Sequence, residues 1–384
     1  YQHTMTRLQS VVRKTLLSSL IFRAAPVSSF GYNAGEPGLR SRRSFAAVVG
    51  CHQHGLWQGS RRGTERYLST DTTGYSRDET TFQPAPPPGT HGTPVFPDVI
   101  LSSPLLESLE SVKRNQDPRA VFVVTGASRG IGLQFVKSLL ERTKGTIVAC
   151  CRSPSAATEL IELRESMSSS KRIDIVALDL EEQSTIEKAG SFLREKYDRV
   201  DGLFNVAGLL GDGGKTTPGP ERSISKMDRG WLEKTMAVNV IGPVMLTKEL
   251  SSMIMTRRKR QRSKEGDIAD TERPIAVVVN LSARVGSIAD NGLGGWYSYR
   301  MSKSALNQAT RTMALELKRQ SAWAVALHPG TTNTDLSRPF QANVKEGSLF
   351  PVEFTVGQLL DLVDRLEDKH SGGFYDWAGQ SLSF

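Results

Sequence analysis

The residues best suited to chemistry in this sequence are a tyrosine and a lysine four positions apart, Tyr299 and Lys303. On a helix, two such side chains share one face, one turn apart. A phenol with a pKa of about 10 is a poor acid or base near neutrality, and a neighbouring ammonium lowers that pKa by stabilising the phenolate. The pair is therefore predicted to act as a tunable acid/base couple, although a lone pair of this spacing also occurs by chance on helix surfaces.

A glycine-rich turn upstream gives this pair its context. Gly126, Gly130 and Gly132 follow an apolar run and open an amphipathic stretch, as in a strand that leads into a helix. Glycines there allow a tight bend, and the backbone amides at the helix start can then hold a pyrophosphate. We therefore expect a bound dinucleotide. Its expected contacts in the turn are Gly126, Ser128, Arg129, Gly130, Ile131 and Gly132.

The residue at the end of the second strand indicates whether the dinucleotide is NAD or NADP. An acid there would bind the 2′-hydroxyl of NAD, whereas a base would pair with the 2′-phosphate of NADP. This sequence has Cys151 and Arg152 at that place and no acid, and Arg129 in the glycine turn adds a second guanidinium. NADP(H) is therefore the predicted cofactor, the alternative being that both arginines are simply solvated.

Apolar runs alternate with amphipathic stretches from residue 120 to the end of the sequence. This alternation predicts an α/β fold, with a single Rossmann-type, doubly wound parallel sheet of about seven strands and helices on both faces. The predicted strands are 120–125, 146–151, 173–178, 201–205, 275–282, 322–328 and a short one near 373–376. The predicted helices are 130–141, 156–168, 182–196, 228–257, 297–318 and 355–366.

The composition of the chain changes sharply near residue 119. Before it the sequence is rich in Ser, Gly and Pro, as in the proline run at 84–89, and has too little apolar surface to offset the entropy of ordering. We therefore predict an organelle transit peptide over 1–70, a disordered linker over 71–118 and the Rossmann domain over 119–384.

The first 63 residues carry nine Lys or Arg and one acid, Glu36, a composition typical of transit peptides. The first 23 residues could form a basic amphipathic helix, whereas the apolar run 15–22 is too short to cross a bilayer. A mitochondrial location is the main prediction. A plastid comes second, and a cytosolic protein with an ordinary disordered N-terminus third. We expect no membrane insertion.

The net charge of +9 does not by itself indicate a nucleic-acid-binding protein. A basic cluster at 257–264 is interpreted as a solvated loop rather than a polyanion patch, and no recognition helix or aromatic stacking platform accompanies it. No nucleic-acid partner is therefore expected. The three cysteines, Cys51, Cys150 and Cys151, are too few for a disulfide framework, and no spacing indicates a metal site.

Several motifs together resemble the short-chain dehydrogenase/reductase family, in its C-factor-like and carbonyl-reductase-like branch, over essentially all of 119–384. The matching segments are 125–132, 179–180, 205–208, Asn239, 280–287, 299–303 and 329–334. The resemblance implies an NADPH-dependent oxidoreductase that reduces a small carbonyl compound to an alcohol in a reversible hydride transfer. The further cofactor contacts that it implies are Asp179, Leu180, Asn205, Ala207, Gly208, Tyr299, Lys303, Pro329, Gly330, Thr332 and Thr334.

Some of these positions receive specific roles from the resemblance. Asp179 would contact the adenine, residues 205–208 would flank the ribose, and Thr334 would hold the nicotinamide amide. Asn239 stands in an otherwise apolar helical stretch, where a buried amide needs partners. It is either a structural hydrogen bonder or, as the family suggests, the anchor of a water that links Lys303 to solvent.

One departure from the family pattern concerns catalysis. The family has a hydroxyl three residues after the asparagine that is Asn280 here, and this chain has Ala283 there. Strand alternation directs Ser282 to the opposite side, whereas Ser287 lies in the loop beyond the strand end, on the ligand side of an open α/β sheet. Ser287 is therefore the candidate replacement, the alternative being a loop serine bonded to its own backbone. Without a replacement, the loss of one such donor costs about 10²–10³ in rate.

These observations predict an enzyme. The predicted catalytic residues are Tyr299, Lys303, Asn239 and Ser287. Candidates for an apolar substrate pocket are Leu293, Trp296, Phe340 and Trp377, with plain core packing as the alternative. A second hypothesis is an NADP(H)-binding regulatory or signalling protein with weak turnover, because of the alanine at 283. The substrate and any assembly into a homo-oligomer are left open.

Overall fold

The computed structural model describes residues 108–166, 170–255 and 273–384. The predicted transit peptide and the basic cluster at 257–264 lie outside these ranges, as does most of the predicted linker, and they stay predictions.

One parallel sheet forms the centre of the described domain. The strands are β1 Val121–Thr125, β2 Thr146–Cys151, β3 Ile173–Ala177, β4 Gly202–Asn205, β5 Ala276–Leu281, β6 Ala322–His328, β7 Thr331–Thr332, β8 Leu349–Phe350 and β9 Phe374–Asp376. Seven of them pair in parallel in the order β3-β2-β1-β4-β5-β6-β9, and β7 pairs with β8 apart from them. The prediction of a doubly wound parallel sheet is confirmed. The strand order reverses between β1 and β4, which is where ligands bind in such sheets.

Helices cover both faces of this sheet. They are α1 Leu109–Gln116, α2 Gly130–Arg142, α3 Thr158–Ser166, α4 Gln183–Lys196, α5 Arg229–Met236, α6 Gly242–Ile254, α7 Tyr297–Leu317 and α8 Val352–Asp364. One core layer packs α2, α3 and α8 against the sheet, and the other packs α4, α6 and α7 against the opposite face. Because both faces are covered, the strands read as continuous apolar runs rather than as alternating ones.

Helix α1 shows that the predicted domain boundary at residue 119 is too late. The Ser108 amide donates to the Asp364 carbonyl oxygen over 2.7 Å, and Asn115 Nδ2 donates to Asp364 Oδ1 over 2.9 Å. The helix was assigned to a disordered linker because it buries polar side chains, Ser111, Arg114 and Asn115, and therefore lacks an apolar face. Residues 108–116 therefore pack against the domain that was predicted to start at residue 119.

The predicted single helix over 228–257 is two helices, α5 and α6, joined by a π-helical turn, Ala237–Ile241. The wider turn places Asn239 in the interior, fully buried. Such turns insert a residue into a helix without changing its apolar pattern, so periodicity cannot show them, and they are frequent at functional sites. No helix of the described ranges is long and apolar enough to cross a membrane.

Candidate active site

The turn between β1 and α2 requires glycine. Gly126 and Gly130 have φ of +67° and +56°, in the left-handed region that favours glycine. A Cβ on Gly126 would lie 2.9 Å from Ala207 Cα, and one on Gly132 would lie 2.1 Å from the Gly126 carbonyl oxygen. The turn is therefore packed tightly against the loop after β4, and its bare backbone leaves a ligand room to approach.

The start of α2 offers unpaired backbone amides to an anion. Arg129 is the N-cap residue, its backbone is extended, and its side chain makes no capping hydrogen bond. The first-turn amides of Gly130, Ile131 and Gly132 have no acceptor within the helix. Together with the positive end of the helix dipole they can hold a phosphate. Ser128 stands half-buried directly before this helix start.

The two arginines predicted to read a 2′-phosphate differ in their surroundings. Arg152 directly follows β2, is exposed, and forms no ion pair with the described part of the chain. The Arg129 side chain is 69% exposed, and its Nη1 lies 3.4 Å from Asp335 Oδ2. Asp335 also pairs with Arg338 over 2.6 Å. Exposed ion pairs are weak, so Arg129 can leave Asp335 and bind a phosphate. Arg152 can bind a phosphate without first breaking an ion pair with any described residue.

The polar side chains at the ends of β1, β4 and β5 hold the adjoining loop in place. Thr125 Oγ1 accepts the amides of Val206 and Ala207 over 3.0 and 3.1 Å. Asn205 Nδ2 donates to Asn280 Oδ1 over 2.8 Å, while Asn205 Oδ1 is buried without a partner among the described residues. The loop predicted to flank the ribose therefore rests directly on the glycine turn.

Asp179 and Leu180, assigned to the cofactor by resemblance, follow β3. Asp179 is half-buried and its Oδ1 accepts the Glu181 amide over 3.1 Å. Leu180 is buried under the start of α6, where a Cβ on Gly242 would lie 2.5 Å from Leu180 Cβ. Leu180 thus also packs the core beside the predicted adenine position.

The segment after β6 contributes Thr334 to the glycine turn. Thr334 Cγ2 lies 3.4 Å from the position of a Cβ on Gly130. Thr332 is buried, and its hydroxyl lies 2.9 Å from that of a threonine on α8. Gly330, which follows Pro329, packs under an aromatic ring, since a Cβ there would lie 2.5 Å from Phe350 Cε2. Of this segment, Thr334 lies against the glycine turn, whereas Gly330 and Thr332 are engaged in packing.

Helix α7 presents Tyr299 and Lys303 on one face. The Lys303 Nζ lies 5.6 Å from the Tyr299 ring centroid and donates to the Leu281 carbonyl oxygen at the end of β5 over 2.8 Å. The loop after β4 runs beside this ammonium, because a Cβ on Gly208 would lie 3.7 Å from it. The Tyr299 hydroxyl makes no hydrogen bond within the described ranges, so it is available to a ligand.

Burial shifts both of these pKa values. It raises the pKa of Tyr299 and lowers the pKa of Lys303 from 10.5 to about 8. The sequence prediction that Lys303 lowers the pKa of Tyr299 is therefore wrong for this structure, in which desolvation of the phenolate dominates and the ammonium binds the Leu281 carbonyl. Tyr299 is a protonated phenol at neutral pH, the form that can donate a proton.

Asn239 joins the loop after β4 to α7. Its Oδ1 accepts the Leu209 amide over 2.7 Å, and its Nδ2 donates to the Leu209 carbonyl oxygen over 2.9 Å. The same Nδ2 donates to Ser302 Oγ over 3.0 Å. Every polar atom of the Asn239 amide is therefore engaged in positioning the loop and the helix that carry the site.

The hydroxyls near Ala283 are engaged elsewhere in the described structure. Ser282 Oγ donates to Asn307 Oδ1 on α7 over 2.6 Å. Ser287 is buried, and its Oγ accepts the Asp290 amide of its own loop over 3.1 Å. Ser287 also lines a cavity of about 220 Å³ with Arg284 and residues 381–383, and Tyr299 is not among the lining residues.

Two of the predicted pocket residues stand together beside Tyr299. The Trp296 ring lies 5.1 Å from the Phe340 ring and 6.2 Å, edge to face, from the Tyr299 ring, measured between centroids. Leu293 is 95% exposed, and Trp377 packs against other rings, 4.5 Å from Phe350. The structure thus brings Trp296 and Phe340 to the tyrosine and leaves Trp377 in a separate aromatic cluster.

Sequence reasoning missed Glu221 and Ser302. Glu221 lies 77 positions before its hydrogen-bond partner Ser298. It directly follows the Gly- and Pro-rich segment 211–220, and no local pattern there predicts a buried side chain. Ser302 stands inside the Tyr299–Lys303 motif, so its position was a signal, but its contact with Asn239 depends on the π-helical turn.

Comparisons with known proteins agree with this geometry. The family model for short chain dehydrogenase matches residues 120–345. An uncharacterized oxidoreductase of Schizosaccharomyces pombe is 26% identical over 275 residues, covering 69% of this chain and 98% of that protein. The C-signal protein of Myxococcus xanthus is 31% identical over 183 residues, covering 48% of this chain and 92% of that protein. The NADPH-bound carbonyl reductase from chicken fatty liver has a TM-score of 0.58 at 29% identity, covering 69% of this chain and 99% of that chain.

The family match spans more than half of the chain and includes both the glycine turn and the Tyr299–Lys303 pair. The parallel sheet places these two motifs on either side of the loop after β4. The chain therefore belongs to the short-chain dehydrogenase family of oxidoreductases.

Proposed function

We propose that the protein reduces a carbonyl compound to an alcohol, with NADPH as the hydride donor and Tyr299 as the proton donor. The observation that carries this proposal is the Tyr299 hydroxyl, which has no partner in the described ranges and stands on the same helix face as the buried Lys303 ammonium. That ammonium lies beside the loop that packs on the glycine turn. Proton donor and cofactor cradle are thus adjacent.

The described residues fit a dinucleotide that carries a 2′-phosphate. A side chain at Gly126 or Gly132 would collide with backbone atoms, so the turn is shaped for close approach, and the amides at the start of α2 face outward from it. Arg152 supplies an exposed guanidinium at the end of β2. The similar chicken protein is described as NADPH-bound. When bound, NADPH supplies the hydride, and the protein supplies orientation and the proton.

Each residue of the site then has a chemical task. Tyr299 gives its proton to the substrate oxygen as the alcohol forms, and the phenol is protonated at neutral pH and so holds a proton to give. Lys303, with a pKa of about 8, is largely charged at neutral pH and places its ammonium 5.6 Å from the centre of the Tyr299 ring. Asn239 fixes the loop at Leu209 and the helix at Ser302. In the reverse direction, Tyr299 accepts the proton of an alcohol.

Trp296 and Phe340 favour a carbonyl substrate with an apolar body. Their rings form a wall beside Tyr299, and both are half-buried. The segments that flank Trp296 and Phe340 in the sequence also carry large exposed apolar side chains, Ile288, Leu293 and Leu336. An apolar surface with a single hydroxyl at one end orients a substrate by its carbonyl oxygen.

A second candidate function is a nucleotide-binding regulatory protein with weak turnover. Ala283 favours it, because no hydroxyl stands where the family resemblance places one, and Ser282 and Ser287 are bonded elsewhere. Under this alternative the cradle still binds NADPH, but polarisation of a substrate carbonyl is too weak for useful rates.

Replacing Tyr299 with phenylalanine tests the enzymatic proposal. NADPH oxidation by the parent and by Tyr299→Phe is measured with a panel of aldehydes, ketones and quinones, and the Kd values of NADPH and NADH are measured by fluorescence. We expect turnover in the parent, none in the variant, unchanged NADPH affinity in both, and weaker binding of NADH. A variant as active as the parent would exclude the mechanism. A parent that binds NADPH tightly and reduces nothing would leave the regulatory alternative.

A further inference from the structure

The catalytic helix α7 begins on a buried carboxylate from a distant segment. Its N-cap residue Trp296 has φ 55° and ψ 40°, a left-handed conformation that is unusual for a residue other than glycine, and makes no side-chain capping bond. The first amides of a helix need outside partners. Glu221 provides them: its Oε2 accepts the Ser298 amide over 3.1 Å, and its Oε1 accepts the Ser298 hydroxyl.

The backbone of Glu221 holds the same helix start. Its carbonyl oxygen accepts the Trp296 amide over 2.5 Å, so the residue binds the start of α7 at two points, Trp296 and Ser298. The Glu221 side chain is 1% exposed and forms no ion pair within the described ranges. Its carboxyl group is therefore bonded to the Ser298 amide and hydroxyl at the start of α7. A non-glycine residue in the left-handed region is strained, and the bond from the Trp296 amide to the Glu221 carbonyl oxygen helps to hold Trp296 in that conformation.

A second set of hydrogen bonds joins the segment 209–221 to α7, on the C-terminal side of Tyr299. Asn239 bonds both backbone groups of Leu209 and donates to Ser302 on α7. The segment from 209 to 221 is thus joined to α7 before Tyr299, through Glu221, and after it, through Asn239. Tyr299 therefore lies on α7 between the residues bonded to Glu221 and the residue bonded to Asn239.

We propose that Glu221 is a positioning residue for proton transfer, and that its bonds to Trp296 and Ser298 set the place at which α7 presents the Tyr299 hydroxyl. This rests on the proposed function, in which Tyr299 is the proton donor. A displacement of about 1 Å at a reacting group can cost on the order of 10²-fold in rate. The effect belongs in kcat rather than in the KM of NADPH, because the hydrogen bonds that Glu221 makes within the described ranges reach the start of α7 and not the glycine turn.

The test compares Glu221→Ala, Glu221→Gln and, as a matched control, Glu233→Ala in the full chain. Glu233 is 61% exposed on α5 and pairs only with Arg229. We expect Glu221→Ala to lower kcat by about 10-fold or more, with the KM of NADPH within about 3-fold of the parent. The glutamine variant keeps an acceptor for the Ser298 amide and a partner for its hydroxyl, so kcat should recover to within about 3-fold of the parent.

Several results would overturn this assignment. They are an unchanged kcat in Glu221→Ala, a loss confined to KM, or a Glu221→Gln enzyme as slow as the alanine variant. If Glu221→Ala does not fold, Ser298→Ala decides, because it removes one of the two carboxylate bonds. An intermediate loss of kcat, about 3-fold or more, supports the proposal, and a parental kcat in Ser298→Ala rejects it.

Hydrogen exchange separates this proposal from the proposed function. In Glu221→Ala the amides of residues 296–300 should exchange at least about 10-fold faster than in the parent, while Glu233→Ala leaves them unchanged. If the parent shows no turnover and this exchange nevertheless increases in Glu221→Ala, Glu221 does hold the start of α7 and the enzymatic proposal fails. If the parent shows turnover and the exchange is unchanged in Glu221→Ala, the positioning role of Glu221 is rejected and the enzymatic proposal stands.

Discussion

Ala283 is the residue at which the proposed reaction lacks the hydroxyl donor that the family resemblance implies. Ser282 donates its hydroxyl hydrogen to Asn307 and cannot replace the missing donor without leaving that partner, and Ser287 accepts the Asp290 amide of its own loop. We therefore expect Ala283→Ser to raise kcat by about 10-fold or more, because one donor to the reacting oxygen is worth about 10²–10³ in rate. Steady-state kinetics with the best substrate of the panel measures this.

The matched variant for this prediction is Ser287→Ala. It should change kcat by less than about 3-fold, because the Ser287 hydroxyl serves its own loop and lines a cavity that does not include Tyr299. A loss of about 10²-fold in Ser287→Ala, with no gain in Ala283→Ser, would instead show that Ser287 has taken over the role of the absent hydroxyl.

The buried ammonium of Lys303 makes the stability of the cofactor-free protein depend on pH. Its folded pKa of about 8 lies below the ordinary value of 10.5, so between these values the unfolded chain binds more protons and stability rises with pH. Over pH 8 to 10 the free energy of unfolding should rise by about 2 kcal/mol more in the parent than in Lys303→Met. Urea unfolding at each pH measures the difference.

Above pH 10 the trend from this pair should reverse. The pKa of Tyr299 is raised by burial, so the unfolded chain loses that proton first and stability falls as the pH increases further. Parallel pH profiles for the parent and Lys303→Met below pH 10 would contradict the desolvated state of Lys303.

At the scale of elements, the start of α2 is the part of the site with the least room for change. A Cβ on Gly132 would lie 2.1 Å from the Gly126 carbonyl oxygen, which is a backbone atom that cannot move away on its own. Gly132→Ala should therefore weaken NADPH binding by about 10-fold or more. It should also lower the Tm by several degrees, since each kcal/mol of lost stability lowers the Tm by about 2–4 °C in a domain of this size.

A second glycine provides the control for the glycine turn. Gly292 has open space within 4 Å of its added Cβ position, so Gly292→Ala should leave the Tm and the Kd of NADPH near parental values. If Gly132→Ala bound NADPH as tightly as Gly292→Ala, the turn would not be the phosphate-binding element. Fluorescence titration and thermal unfolding of both variants decide this.

At the scale of the whole molecule, α1 closes one side of the domain. Asp364 is buried there against Asn115 and Arg114, and burial raises its pKa against the opposing effect of Arg114. Removing α1 takes away both of these partners and leaves Asp364 with the half-exposed Arg142, whose Nη1 lies 3.8 Å from Oδ2. A fragment of residues 119–384 should be less stable than one of residues 108–384 by about 3 kcal/mol or more, because breaking a buried pair on one side is strongly destabilising.

Urea midpoints of the two fragments measure this loss. In the longer fragment, Arg119→Ala removes a side chain that is 69% exposed and should change stability by less than about 0.5 kcal/mol. Equal midpoints for the two fragments would restore the domain boundary at residue 119 that composition indicates.

The amino-acid sequence by itself determined the fold class, most element positions and the identity of the family. Strands buried on both faces are apolar throughout, helices follow their period, and Gly126, Gly130 and Gly132 stand where only a bare backbone fits, so each signal is local in the chain. The Tyr299–Lys303 pair was visible for the same reason, since four residues make one helical turn.

Only the tertiary structure decided the contacts between distant segments and the desolvation that they cause. Glu221 meets Ser298 across 77 positions, Asn239 reaches Leu209 through a π-helical turn, and α1 binds Asp364 from the far end of the domain. The direction of the Tyr299 pKa shift also depended on folding, because the spacing of Tyr299 and Lys303 indicates a nearby charge but not how far both groups are removed from water. A sequence encodes local periodicity directly, whereas burial is a property of all the segments packed around a residue.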